Sequence, residues 1–254
     1  MTALLKYQEH NPHRSSASAS CTACELYEFG LCAAIRNLSE LKAVGHVAKP
    51  LLAATVHTIP SRRTISRPTE WSEFVPVICS GWATSSIALS DGRRQILSFL
   101  LPGDLVSTAS LFEATSGFLV EAITAVTYRN FKRGDLKAAL FQHPDLLQTL
   151  AKAWIEERKN SDQLAVDLGR RTADERIARL ILNLMDRLAK RGMAQNQTMD
   201  FPLRQHHIAD ATGLTPVHVS KVLSGFRRSG LIDYGNRSLT ILDMANLQRI
   251  ASLR

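Results

Sequence analysis

Two hydrophobic periods divide the chain. From about Leu41 to Asp135, short segments rich in Val, Ile, Thr and Phe alternate with turn residues. That pattern predicts strands. Ile87 to Ser90, Asp91-Gly92 and Arg93 to Leu100 predict a hairpin, with Asp-Gly supplying the positive φ of a tight primed turn. Pro102-Gly103 fits the centre of a type II turn. Leu119 to Val126 reads as a further strand, and the whole region as a small antiparallel barrel or roll.

From Pro144 the period becomes helical. Asp145 to about Leu168 carries Leu147, Leu150, Trp154, Glu157, Ser161, Leu164 and Leu168 at alternating three- and four-residue spacing. That is the spacing of a two-helix seam, apolar at its ends and polar in its middle. Packing against the chain's own roll is the competing use of the same stripe. Glu157 opposite a symmetry mate would weaken the seam. Thr172 to Arg191 is a second helix, with Ile177, Leu180, Ile181, Leu184 and Leu188 on one face and Gly192 as its stop.

Phe201 to Leu242 carries the most information. Arg204 to Ala211 predicts a short helix, and Thr212-Gly213-Leu214 a turn. Thr215 then caps a new helix whose first position is Pro216, where a missing N–H costs nothing. This is helix-turn-helix spacing. Val219, Val222, Leu223 and Phe226 must point into a core. Val217, His218, Ser220, Lys221, Ser224, Arg227 and Arg228 occupy the other face. Hydroxyls, an imidazole and cations suit a helix that enters a DNA groove, its N-terminal end near base edges and its arginines nearer phosphates. Ile232 to Tyr234, a turn at Gly235-Asn236-Arg237, and Ser238 to Leu242 predict a two-stranded wing, with Arg237 at its tip as a phosphate contact.

Charge agrees with this reading. The 254 residues carry a formal net charge of +8, of which residues 1–169 supply +1 and residues 170–254 supply +7. A basic unit on a neutral one points to a polyanion such as double-stranded DNA. No membrane span or signal peptide is expected, which makes the cytoplasm the default compartment. Cys21, Cys24 and Cys32 form C-x2-C-x7-C; three thiols that close together suit metal or cluster ligation. The fourth cysteine, Cys79, lies apart, and a free cysteine is often just a small buried hydrophobe. An enzymatic reading, thiol oxidoreduction by Cys21 and Cys24, lacks the βαβ context it needs.

The order of cysteine segment, roll, long helix and winged helix-turn-helix resembles the CRP/FNR family of bacterial transcription regulators. The detailed matches are Gln95 to Phe99 leading to Pro102-Gly103-Asp104-Leu105, Ala173 to Ala178, and Gly213 to Lys221. The resemblance runs from about Cys21 to Leu242. It implies an α+β fold with four parts: an N-terminal cysteine segment (1–40), a cyclic-nucleotide-binding-like β-roll (41–143), a dimerisation helix (144–170) and a winged helix-turn-helix (171–254). It also implies a homodimer, a palindromic operator, contact with RNA polymerase, and reader helices about 34 Å apart. The FNR-like reader pattern has Glu, Ser and Arg where this chain has Val217, Ser220 and Lys221. The missing carboxylate removes an acceptor for a cytosine amino group, so the half-site is expected to differ.

The resemblance also bears on the signal. Cyclic-nucleotide members place an Arg-Ser pair where this chain has Ser116 and Gly117, so cAMP is disfavoured. FNR-like oxygen sensors hold a [4Fe-4S] cluster on an N-terminal cysteine set plus a central one, and loss of the cluster to oxygen weakens dimer and DNA binding. Here Cys21, Cys24 and Cys32 match the set, but the central position falls at about Thr127. Cys79 from a neighbouring strand, a carboxylate or a histidine could supply the fourth ligand. Haem held by Cys79, His46 or His57, and a regulator with no cofactor, are the remaining readings.

Overall fold

The computed structural model describes residue 31 and residues 34–35, 52–68, 72–113, 115 and 117–251. Cys21, Cys24, Cys32 and His46 lie outside the described residues.

Seven antiparallel strands build the roll: β1 (Ala54–Ile59), β2 (Thr64–Ser66), β3 (Phe74–Ser80), β4 (Ala83–Ala88), β5 (Arg94–Leu100), β6 (Leu119–Ala122) and β7 (Val126–Lys132). They form two sheets, ordered β1-β7-β3 and β2-β6-β4-β5. Ile78, Ala83, Leu100, Val106, Val120 and Val126 pack together in the roll. One strand was expected from Leu119 to Val126. There are two, and β7 is the centre of its sheet.

The β4–β5 connection also differs from expectation. The Leu89 N–H donates to the Arg93 carbonyl, and the Gly92 N–H to the Leu89 carbonyl. Among Ser90, Asp91 and Gly92, only Gly92 has positive φ, +85°. This is a three-residue loop closed by a left-handed glycine rather than a two-residue primed turn. Pro102-Gly103 is the turn expected, with Gly103 at φ +92° and the Asp104 N–H donating to the Leu101 carbonyl. Gly81 is obligatory: a Cβ there would lie 2.0 Å from the Ala125 carbonyl oxygen.

Helix α1 (Arg133–Gln142), unforeseen, leads into the long helix α2 (Pro144–Arg170). Leu136, Leu140, Leu146 and Leu150 pack with Val75, Val77, Leu111 and Phe131 of the roll. Leu150 therefore leaves the expected seam. Glu157 leaves it too, because its carboxylate accepts a 2.5 Å hydrogen bond from the Thr108 hydroxyl of the roll. The large apolar side chains that α2 leaves exposed are Leu147, Trp154, Ile155 and Val166.

Helix α3 (Ala173–Ala189) begins with a reciprocal cap. The Thr172 hydroxyl accepts from the Glu175 N–H, and the Glu175 carboxylate from the Thr172 N–H. Then come β8 (Ala194–Gln195), β9 (Thr198–Asp200), α4 (Gln205–Thr212), α5 (Pro216–Arg228), β10 (Ile232–Gly235), β11 (Ser238–Ile241) and α6 (Met244–Ala251). The expected two-stranded wing is part of a four-stranded sheet, ordered β10-β11-β9-β8. Strands this short carry no readable alternation.

Roll and reader unit share one apolar cluster: Trp82, Ile96, Phe99 and Leu101 of the roll join Ile177, Ile181, Leu184 and Leu223. Charge closes the junction. Asp104 Oδ2 lies 2.7 Å from Arg187 and Oδ1 2.5 Å from Arg191, whose side chain is only 4% exposed. Arg187 also donates to the Phe99 carbonyl and Arg191 to the Pro102 carbonyl. Burial pulls the Arg191 guanidinium below its ordinary value, and the Asp104 charge opposes that pull. On the other side, Arg94 bridges Glu121 at 2.7 Å and Asp210 at 2.8 Å.

Removing one partner of a buried pair leaves the other charge uncompensated. Asp104→Asn is expected to lower unfolding free energy by about 2–4 kcal/mol, read by urea denaturation. A loss comparable to that of Asp186→Asn, which breaks the exposed Asp186–Lys190 pair, would contradict the account.

Candidate nucleic-acid interface

The reader is built by local chemistry. Gly213 ends α4 in a left-handed conformation, φ +66°, and a Cβ there would meet Leu168 at 3.0 Å. The Leu214 N–H donates back to the Ala209 carbonyl. Thr215 is extended and its hydroxyl accepts from the His218 N–H at 3.2 Å; Pro216 opens α5. Val219, Val222, Leu223 and Phe226 are buried, which fixes the rotation of α5. Its other face is therefore outward: Thr215, Val217, His218, Lys221, Ser224, Arg227 and Arg228 are exposed, and Ser220 is half-buried. Val217 is 67% exposed, a bare apolar side chain where a groove helix would meet a thymine methyl.

The two arginines at the end of α5 differ. Arg228 projects freely from the last turn, whereas Arg227 pairs with Asp233 at 3.0 Å and lies over the Tyr234 ring. That pair is solvent-exposed and weak, so it orients Arg227 along the wing without removing it from reach of a phosphate. Asn236 and Arg237 form the wing turn, both left-handed at φ +48° and +63°. Arg237 is exposed at the tip.

Sequence reasoning missed the residues that aim this unit. The Arg176 guanidinium donates to the carbonyls of Leu168, Arg171 and Thr212, at 2.9, 2.9 and 3.0 Å. It thus joins the end of α2, the start of α3 and the end of α4. Asp167 adds ion pairs to Arg171 at 2.7 Å and Arg179 at 3.0 Å. No spacing rule announces the Arg176 contacts, because their partners are backbone carbonyls, whereas Asp167 and Arg171 stand at the i,i+4 spacing of a helix pair.

The α4 start also carries His206 and His207, ring centroids 4.0 Å apart. The Arg204 N–H donates to His207 Nδ1, so that nitrogen carries no proton. Burial, then His206, Arg94 and Arg204, hold His207 down at about 4.

The other predicted residues lie in the roll. Cys79 is half-buried on β3. It sits at a register break, where Ile78 pairs with Tyr128 and Ser80 with Thr127. His57 stacks on Tyr128 from the opposite strand, ring centroids 5.3 Å apart. Gly117 has φ +70°, and Ser116 is outside the described residues. Among the described residues, no helix is long and apolar enough to cross a membrane.

Residues 175–250 match the Crp-like helix-turn-helix domain, and residues 56–143 match the cyclic nucleotide-binding domain. The nitrogen fixation regulation protein FixK of Bradyrhizobium diazoefficiens is 29% identical over 233 residues, 91% of this chain and 94% of its own. The transcriptional activatory protein AadR of Rhodopseudomonas palustris is 30% identical over 234 residues, 91% of this chain and 96% of its own. The solved structure of FixK2 from Bradyrhizobium japonicum, 29% identical, superposes with a TM-score of 0.72 over 80% of this chain and 100% of that one.

Because His207 is held below its ordinary 6.5, the unfolded chain binds the extra proton first as pH falls. Its contribution to stability is complete above about pH 6.5 and is lost down to about pH 4. Thermal melts from pH 7 to 4.5 should show a shallower fall for His207→Gln than for the parent chain. Parallel curves would refute the assignment.

Proposed function

The chain belongs to the CRP/FNR family of DNA-binding transcription regulators, a family of regulators rather than enzymes, and we propose that it acts as a homodimeric activator that reads a palindromic operator and answers to oxygen or redox state. The observation that carries the reading is the division of α5: an apolar face seated in the core and a hydroxyl, imidazole and cation face in solvent. Ser220 and Lys221 are the base-reading candidates, with His218 and Val217 beside them. Arg228, Arg237 and the wing-held Arg227 are the phosphate candidates.

Self-association is supported by Leu147, Trp154, Ile155 and Val166, which α2 leaves exposed. Covering that apolar stripe against a second copy would set two readers on one two-fold axis, able to enter successive major grooves. RNA polymerase is then the partner through which a bound dimer activates.

For the input, Cys21, Cys24 and Cys32 are the proposed ligands, with Cys79 as the fourth. Support comes from the β3–β7 register: Cys79 stands at the bulge across from Thr127, so its strand can deliver a thiol beside the place where the family pattern has one. Four thiolates would hold a [4Fe-4S] cluster, and oxidation of that cluster would supply the signal.

Sites selected from a random duplex library should have two-fold symmetry with half-sites about 10 base pairs apart. Affinity for such a site should fall steeply with salt. Arg228→Ala, which removes one phosphate contact from each protomer, should reduce the logarithmic slope of the dimer by about two and weaken all duplexes alike, whereas Lys221→Ala should cost about 1–3 kcal/mol per half-site on the selected site and less on random DNA. A flat salt response, or selected sites without symmetry, would refute the reading.

Anaerobically purified protein should contain about four iron and four sulfide per chain. Cys24→Ala and Cys79→Ala should each lose them, and air should lower the dimer fraction. No iron, with equal dimer fractions in both atmospheres, would instead identify a regulator without cofactor. Iron retained in Cys79→Ala would move the fourth ligand elsewhere.

A further inference from the structure

A cleft of about 720 Å³ opens between the roll and the reader unit. Its lining contains four arginines, Arg62, Arg94, Arg204 and Arg237, against a single carboxylate, Glu121; the neighbouring His207, held down at about 4, adds no charge at neutral pH. Arg94 is already occupied by Glu121 and Asp210. Among the described residues Arg62 and Arg204 form no ion pair, and Arg237 feels the longer-range field of Asp200. The cleft is therefore a cationic cavity without its counter-charge.

The backbone fixes where two of these cations stand. Arg237 closes the two-residue β10–β11 hairpin with Asn236, both at positive φ as a primed turn requires. Arg62, at φ +65°, stands in the β1–β2 turn. Both line this cleft. Two turns in different units hold cations at the same opening.

We propose that the cleft is a binding site for a small organic polyanion carrying two or more phosphate or carboxylate groups, held by Arg62, Arg204 and Arg237. Its volume is that of an ordinary small-molecule site. Because Arg62 comes from one unit and Arg204 and Arg237 from the other, separate anionic groups on one molecule can engage both. Such a ligand would bridge roll and wing. It would also draw on Arg237, the cation at the wing tip, so its occupancy would bear on DNA contact. The proposal does not rest on the regulator reading, since the binding is measured on the free protein.

The test is calorimetric titration of the full chain at low salt with ATP and, separately, citrate. At least one should bind with a dissociation constant below about 1 mM. ATP alone would identify phosphate as the recognised group, and citrate alone carboxylate. Arg62→Gln should weaken that binding about tenfold, while Lys190→Gln, which removes the same charge from a distant exposed site, should leave it unchanged. Absence of heat with both probes overturns the proposal, as does equal weakening by the two variants. DNA affinity provides the remaining arm: Arg62→Gln should leave it and its salt slope unaltered. A slope reduced by about one per protomer would assign the cleft to the DNA track instead and overturn the small-ligand site.

Discussion

A single guanidinium sets the geometry on which the reader depends. The last carbonyls of a helix have no partner within it, and something outside must satisfy them. Arg176 does this for Leu168 near the end of α2 and for Thr212 at the end of α4, with the Arg171 carbonyl between them. Planar donors in a fixed fork leave little angular freedom. The long helix, the following helix and the first helix of the reader are thereby held at one angle. For two readers related by a two-fold axis, that angle decides whether both can reach one duplex.

Around that joint, two further contacts hold the roll to the reader unit, and they differ in kind. Asp104 takes Arg187 of α3 and Arg191 just beyond its end, at a site where Arg191 is nearly sealed from water, so separation would strand a charge. Arg94 reaches Asp210 on α4 from a quarter-exposed position, where water can replace either partner. The α4 side is also held by Gln95, whose side-chain amide donates to the Ala211 carbonyl at 3.2 Å. The cationic cleft lies on the α4 side.

Much of this was legible in the sequence where chemistry is local. Thr215, Pro216 and Gly213 announced the reader because a cap, a missing N–H and a left-handed glycine each act within a few residues. Helix α3 was announced by its apolar face from Ile177 to Leu188, and its Thr172–Glu175 cap was found in the structure. Strand β7 was hidden because Arg129 and Asn130 interrupt its apolar positions; neighbours on both sides define it, and they are distant in sequence. Helix α1 has an apolar trio at Leu136, Ala139 and Leu140, but exposed Phe141 blurs the stripe. Leu150 and Glu157 were misplaced for a related reason: a seven-residue period shows that a stripe exists, and only the roll decides which neighbouring positions it claims. In the site, the reading face was visible, while Arg176 and Asp104 were not, because their partners are carbonyls or lie more than eighty residues away.

The apolar cluster that Trp82, Ile96, Phe99 and Leu101 share with Ile177, Ile181 and Leu223 has one more consequence. Regulators of this architecture invite cut-and-paste engineering, in which one input module is grafted onto another output module. Here the graft line would pass through packed side chains rather than a linker. A chimera made at 171 would carry a bare apolar face on each half, and its success would depend on whether the new module presents an indole of the same size at the place Trp82 now fills.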